Sequence, residues 1–565
     1  MDWNARFPRF IALLLAARSA SAAANKGWHF VQNGTSGIVA LESIIVSDTL
    51  ALFFDRATND PMQIDNHTAW GAVWNLETNT ARPLEMKTDS FCASGSFLSN
   101  GTMVSVGGHR GTVVPQAGDG LMGVRIWEPC EDPTGESCTL FDDPSVIHLA
   151  EDRWYPSSCR IFDGSLFVAG GMHVPTPFYN TDPANTYEFW PPKDGGATRP
   201  SAFLARAGPS NMFPRTIALP DGRIWIAAGN QTIIYDVEKN TETILPSIPN
   251  NIQVTNPMDG TAGLLPLHPP DYIPEVLVCG GSPSDPATPH LQLSSQDPAT
   301  DQCSRMTLTE EGIKKGWEIE HMLEPRTMPE FILLPNGKIL IVNGGQTGYA
   351  AFNSTKDPIG QSNADHPAFT PSIYDPDARL GQRISNEGMP STDIPRLYHS
   401  TATLTPSGNI MIGGNNPNGA IVYDIKYTSE FRIEYLNPPY MTMDRPVISN
   451  VPKQIDYNSK IHFNISIPSS LRGEHIQVAL MDLGFSTHAF HSSSRLVFMD
   501  ATLSRDGESL TVTTPPNNRV YPPGPAYIYV TVGDVSSVGA RTLIGNGQAP
   551  PVADQGVPLG SHHHH

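Results

Sequence analysis

The 565-residue chain lacks any apolar run long enough to cross a bilayer, so no membrane-spanning helix is expected. Basic residues are also scarce. Lys and Arg number 36 against 56 Asp and Glu, a formal net charge of -20. Such a field repels phosphate backbones and anionic lipid, which argues against nucleic acid and membrane surfaces as partners. Six cysteines at this length exclude a disulfide scaffold and leave room for local staples only. Long amphipathic helical patterns are absent. So is a Gly-rich fingerprint that follows a strand and opens a helix, and no flavin or nicotinamide site is read.

What is there begins with an address. Residues 1–24 read as a secretory signal: Arg6 and Arg9 precede the apolar run Phe10–Ala17, and Ala20-Ser-Ala22 offers a small-residue cleavage site. A secreted, extracellular protein is expected. Sequons at Asn33, Asn66, Asn100, Asn230, Asn353 and Asn464 would carry sugars on surface loops. Residues 555–565 form a tail ending in Gly560-Ser-His-His-His-His565, an appended histidine tag.

Cys130 and Cys138 bracket a Pro/Gly loop, and Cys279 and Cys303 bracket a Ser/Pro/Gln-rich excursion; each pair would close its loop as a disulfide. Cys92 and Cys159 remain. They could form a third disulfide, or Cys159 could be a small buried filler in a strand-like run.

A unit recurs along the chain: a Gly-containing turn pair, a short apolar or alternating run, then glycines. It is seen at Asn100–Gly108, Asp163–Gly171, Asp221–Gly229, Asn336–Gly345 and Ser407–Gly414, with a partial copy at Val276–Gly281. Asn-Gly and Asp-Gly supply the positive φ of a tight hairpin, and the period of tens of residues signals a kelch-type β-propeller. Ser43–Phe54, strand-rich without the diglycine, would add a seventh blade. The repeat stops near Asn437 and Pro438–Pro446 reads as a linker. Beyond it Lys460–Ile467, Gln477–Met481 and Tyr527–Val532 suggest a compact β-sandwich. The expected fold class is all-β, with a propeller over 25–437 and an immunoglobulin-like sandwich over 438–554.

The chemistry concentrates in four segments: Thr88–Cys92, Arg153–Ser158, Arg396–Ser400 and Phe485–His488. They carry a thiol (Cys92), two phenols (Tyr155, Tyr398) and two imidazoles (His399, His488). Imidazole and phenolate suit a tetragonal copper site with an open corner, and a cation stabilises the phenolate. Taken singly, each tyrosine could be a core aromatic and each histidine a satisfied loop residue. His491 competes with His488 by spacing alone.

In order and spacing these segments resemble the copper-radical oxidases, most closely the glyoxal oxidases of wood-decay fungi and more distantly galactose oxidase. That resemblance extends over essentially the whole mature chain. It implies seven blades, one copper ion, and a radical on Tyr155 linked through a ring carbon to the Cys92 sulfur. Tyr155, Tyr398, His399 and His488 would be the ligands, with Tyr398 axial and acting as general base. His488 would arrive from the C-terminal domain on a hairpin threaded toward the axis. Where galactose-oxidising relatives place a tryptophan over the thioether, this chain has His173, in Gly170-Gly-Met-His173, which would favour a small polar carbonyl substrate. The implied activity is oxidation of small aldehydes such as glyoxal and methylglyoxal, as hydrates, by O2 to carboxylic acids and H2O2. A monomer feeding extracellular peroxidases in lignin breakdown would follow. The alternatives are a primary-alcohol oxidase with the same cofactor and a non-catalytic kelch propeller that binds polysaccharide or protein.

Overall fold

The computed structural model describes residues 26–560, so the signal and the histidines of the tag lie outside the described residues. The architecture is all-β. Helix is confined to short turns such as Ala202–Arg206 and Glu310–Lys315, and no helix among the described residues is long and apolar enough to cross a membrane.

Among the described residues, seven antiparallel sheets follow one another from the N-terminal side. Their first strands are Glu42–Ile45, Ser94–Phe97, Ser157–Arg160, Arg215–Ala218, Gly260–Leu264, Glu330–Leu333 and Ser400–Leu404. Six of the sheets are four-stranded, the last of them drawing its outer strand, His29–Thr35, from the N-terminal side; the first sheet has six strands, two of them from a C-terminal hairpin. Consecutive first strands from Ser94–Phe97 onward neighbour one another, and Glu42–Ile45 neighbours Ser400–Leu404. The Gly-containing turns link first to second strands, where Asn-Gly and Asp-Gly accommodate positive φ.

Two sheets make up the C-terminal region, one built on Val447–Ser449, Lys460–Ser466 and Ser509–Thr513, the other on Ile476–Asp482, Gly524–Val532 and Ala540–Ile544. Lys460–Ser466 alternates exposed and buried residues, as a strand with one wet face must. One contiguous core runs from Trp225 and Val276 into Val478, Val497 and Val530, so the two regions share packed side chains.

From the C-terminal region a hairpin, Phe485–Thr487 and Phe490–Ser492, leaves these two sheets and pairs with Glu42–Ile45. It touches the first strands of all six other sheets as well. Phe485 and Phe490 are buried, each contributing about 1.5–3 kcal/mol relative to exposure, which holds the hairpin in place.

Buried arginines recur at one structural position. Arg125, Arg153, Arg326 and Arg396 each donate to a backbone carbonyl at the glycine-rich strand ends: Gly107, Gly170, Asn343 and Gly414, at 2.7–2.8 Å. The glycines admit the neighbouring loops. A Cβ at Gly171 would lie 2.8 Å from the Trp154 carbonyl oxygen, and one at Gly414 would lie 2.2 Å from that of His399. The repeat therefore shapes the seats of two site-bearing loops. Both expected disulfides are present, Cys130–Cys138 and Cys279–Cys303. Cys159 is a buried free thiol, pushed up to about 12 by desolvation, which suits a filler.

Candidate metal centre

Cys92 and Tyr155 occupy equivalent places, each two residues ahead of its sheet's first strand and each at positive φ, 58° and 63°. Left-handed backbone in residues with side chains is uncommon and must be held by its surroundings. Here the loops hold one another: the Tyr155 amide donates to the Cys92 carbonyl at 3.2 Å, and the Phe213 amide donates to the Tyr155 carbonyl at 3.0 Å. Tyr398 and His399 sit in the turn before Ser400–Leu404, with His399 at φ 65°. Adjacent strand residues would diverge to opposite faces, whereas this turn stacks the two rings at 3.7 Å. His488 occupies the hairpin tip at φ 49°.

These five residues converge, all nearly or fully buried. The Cys92 sulfur lies 3.2 Å from His488 Nε2 and 3.9 Å from His399 Nε2, and the Tyr155 and Tyr398 hydroxyls are hydrogen-bonded to each other. Cys92, His399 and His488 are the one group of three His, Cys or acidic donors, among the described residues, close enough to share a metal ion.

The hydrogen bonds fix which nitrogens are available. His399 Nδ1 donates to the Asn416 carbonyl at 3.0 Å. His488 Nδ1 lies 2.7 Å from the Thr487 hydroxyl, whose own proton goes to the Leu41 carbonyl. Both rings therefore carry the proton on Nδ1 and turn a free Nε2 lone pair inward, the usual device for orienting a metal-binding imidazole. Burial pushes both imidazoles well below their ordinary pKa, so they are neutral donors. Desolvation also drives the Cys92 thiol and both phenols well above theirs. A bound cation reverses that preference for the phenols. Neutral imidazoles, phenols and a dry setting fit copper.

Around the donors stand groups that the motif reading did not single out. Trp154 meets the Tyr155 ring edge-on at 4.5 Å, and Phe213 stacks on the His488 ring at 4.2 Å. Phe91 lies 5.6 Å from His399, and His109 lies 5.0 Å from Trp154. A signal for Phe213 was legible: Tyr155-Pro, Phe213-Pro and Met328-Pro each precede a first strand by the same interval.

The His173 ring is held by Glu151 at 2.7 Å and Asp182 at 3.1 Å, and the ring that meets Tyr155 edge-on is Trp154. His491, the rival to His488, donates to the Ala402 carbonyl and lies 3.5 Å from Glu330, committed to the strands below the tip. The sequon residues Asn33, Asn66, Asn353 and Asn464 are exposed, and Asn100 and Asn230 are half-buried.

A family model described as glyoxal oxidase N-terminus matches residues 52–440, and one described as galactose oxidase-like, Early set domain, matches residues 445–544. The chain belongs to the glyoxal oxidase family. It is an oxidoreductase of the glyoxal oxidase type, within the copper-radical oxidases. Curated relatives include "Aldehyde oxidase GLOX" of Vitis pseudoreticulata, 31% identical over 81% of this chain and 82% of the relative. "Aldehyde oxidase GLOX1" of Arabidopsis thaliana is 30% identical over 83% and 74%. Galactose oxidase of Gibberella zeae is 26% identical over 45% and 34%. A solved fungal alcohol oxidase of the AA5 family, in complex with copper, has the same fold at a TM-score of 0.67 and 17% identity, over 92% of this chain and 99% of that one. The galactose-oxidase-like architecture with its Early set domain is thus shared by the family.

Proposed function

We propose that this chain is a secreted copper-radical oxidase converting hydrated small aldehydes, glyoxal and methylglyoxal among them, to carboxylic acids. The balance is RCH(OH)2 + O2 → RCOOH + H2O2. The observation that carries the reading is the inward pair of neutral Nε2 lone pairs beside Cys92 and the hydrogen-bonded phenols of Tyr155 and Tyr398. His399, His488, Tyr155 and Tyr398 would hold one copper ion, with Tyr155 carrying the radical after its ring carbon is joined to the Cys92 sulfur. Copper when bound supplies one one-electron store, and the crosslinked tyrosine the second, so together they match a two-electron oxidation.

Tyr398 is the general base of this proposal. Its hydroxyl exchanges a hydrogen bond with Tyr155 and is placed to take a substrate hydroxyl proton once its own proton has left. Phe91 and Trp154 exclude water around the phenol and imidazole, and half-buried His109 offers a polar edge above them. Desolvation pushes His109 down to about 4, so its ring is neutral near pH 7.

The same reading takes the seven sheets as a closed, seven-bladed kelch-type propeller over 25–437, supported by the hairpin that touches every first strand. It takes 438–554 as an immunoglobulin-like domain lending His488. It also takes 1–24 as a cleaved signal, the six sequons as glycosylated, the chain as a monomer, and its H2O2 as feeding extracellular peroxidases in lignin breakdown.

The test loads the purified protein with copper, oxidises it with a strong one-electron oxidant, and records the spectrum and peroxide release over a panel of aldehydes and primary alcohols. A radical band with aldehydes preferred is expected. A radical band with alcohols preferred transfers the protein to the alcohol oxidases, and no copper binding defeats the reading.

A further inference from the structure

The loop before Arg215–Ala218 repeats the geometry of the Cys92 and Tyr155 loops, yet the residue at the matching position, Phe213, offers no metal donor. Phe213 stands two residues ahead of the strand at φ 49°, its amide bonded to the Tyr155 carbonyl. At 1% exposure it is sealed from solvent. Its ring lies face to face with the His488 imidazole, 4.2 Å apart at 19°, and edge-on to Tyr155 at 5.1 Å.

Arg215 acts on the same histidine through the backbone. Nη1 donates to the His488 carbonyl at 3.0 Å and to the Phe213 carbonyl at 3.3 Å. Nη2 donates to the Gly260 carbonyl at 2.6 Å, and Asp259 lies 3.5 Å away to balance the charge. The restraint answers a need. His488 and Ala489 are consecutive left-handed residues, φ 49° and 61°, a tip that carries a backbone cost and relaxes unless something outside it holds it. Thr487, which accepts from His488 Nδ1, is itself tied to the Leu41 carbonyl, but that link ends beside the tip and leaves the His488 carbonyl to Arg215.

We propose that Phe213 and Arg215 form a clamp that fixes the rotation and position of the His488 ring, making them positioning residues of the metal centre. The proposal rests on His488 being a copper ligand. The ring plane is set by the phenyl face, the height of the tip by the guanidinium, and the Phe213 amide ties both to the Tyr155 loop.

The test titrates the full, metal-stripped chain with Cu(II), reading affinity by competition and ligand geometry by electron paramagnetic resonance, with thermal unfolding as the folding control. Phe213→Leu should bind Cu(II) about 10-fold more weakly, the scale on which second partners of metal-bound histidines act, and should shift the copper hyperfine pattern. Phe213→Tyr, which keeps the ring face, should restore both. Arg215→Lys keeps a charge for Asp259 but cannot span the two carbonyls, and should shift the pattern in the same direction. Should Arg215→Lys fail to fold, the two Phe213 variants decide. A folded Phe213→Leu with the parent affinity and spectrum overturns the clamp, as does equal impairment in Phe213→Tyr. A parent that takes up no Cu(II) overturns the copper reading itself, and the clamp with it.

Discussion

Two pairs of loops share a backbone and differ in what they carry. Cys92 and Tyr155, ahead of Ser94–Phe97 and Ser157–Arg160, are at positive φ and turn a thiol and a phenol toward the centre. Phe213 and Met328, ahead of Arg215–Ala218 and Glu330–Leu333, stand at the same place with φ of 49° and 59° and are buried as apolar rim. The repeat supplies a slot near the centre of the sheets, and the residue filling it decides between chemistry and packing. Met328 packs with Tyr398 and Ala489, so even a silent slot braces a site residue.

The largest break in the comparison comes from emptying an active position. His488→Ala removes one of two nitrogen donors and should abolish copper binding or leave it much weakened, as metal titration will read. His491→Ala, on the same hairpin, should keep its copper; the reverse pattern would mean that the wrong imidazole has been assigned. Next, Tyr155→Phe gives the second slot the side chain of Phe213. The radical band and turnover should vanish, and the Cys92 crosslink should not form under mass mapping, whereas Met328→Leu should cost less than about 1.5 kcal/mol and leave turnover intact. If Tyr155→Phe retains the radical while Tyr398→Phe loses it, the two phenols exchange roles.

Tyr398→Phe is milder. It should still bind copper and still crosslink, while kcat falls ~10²- to 10⁴-fold through loss of the general base. The smallest effect belongs to His173. Burial works against its charge, but hydrogen bonds to Asp182 and Glu151 outweigh it and raise its pKa. The stabilisation from this raised pKa is full below the unfolded imidazole value of about 6.5 and is lost as pH rises through the folded value. The Tm gap between parent and His173→Gln should therefore be widest at acid pH and close on the alkaline side. Aldehyde turnover should stay near the parent level, and a large loss would return His173 to the substrate face.

Much was legible along the chain because it is local. Asn-Gly and Asp-Gly turns ahead of alternating runs reported the hairpins, and bracketing cysteines reported two loops that are closed. The resemblance of four segments to the copper-radical oxidases picked out Cys92, Tyr155, Tyr398, His399 and His488, and all five are brought together. The partners of His173 were not legible, because Glu151 and Asp182 stand 22 and 9 residues from it along the chain and meet its ring only in the fold.

The sequence by itself determined the strand and turn pattern, the donor types and the repeat, because these depend on φ preferences and side-chain chemistry within a few residues. Tertiary structure alone decided which of His488 and His491 faces the centre, which ring lies on Tyr155, and that Phe213 and Arg215 meet a hairpin from the far end of the chain. Those outcomes depend on contacts between segments hundreds of residues apart, where burial and competition for hydrogen-bond partners choose among groups that look alike in the sequence.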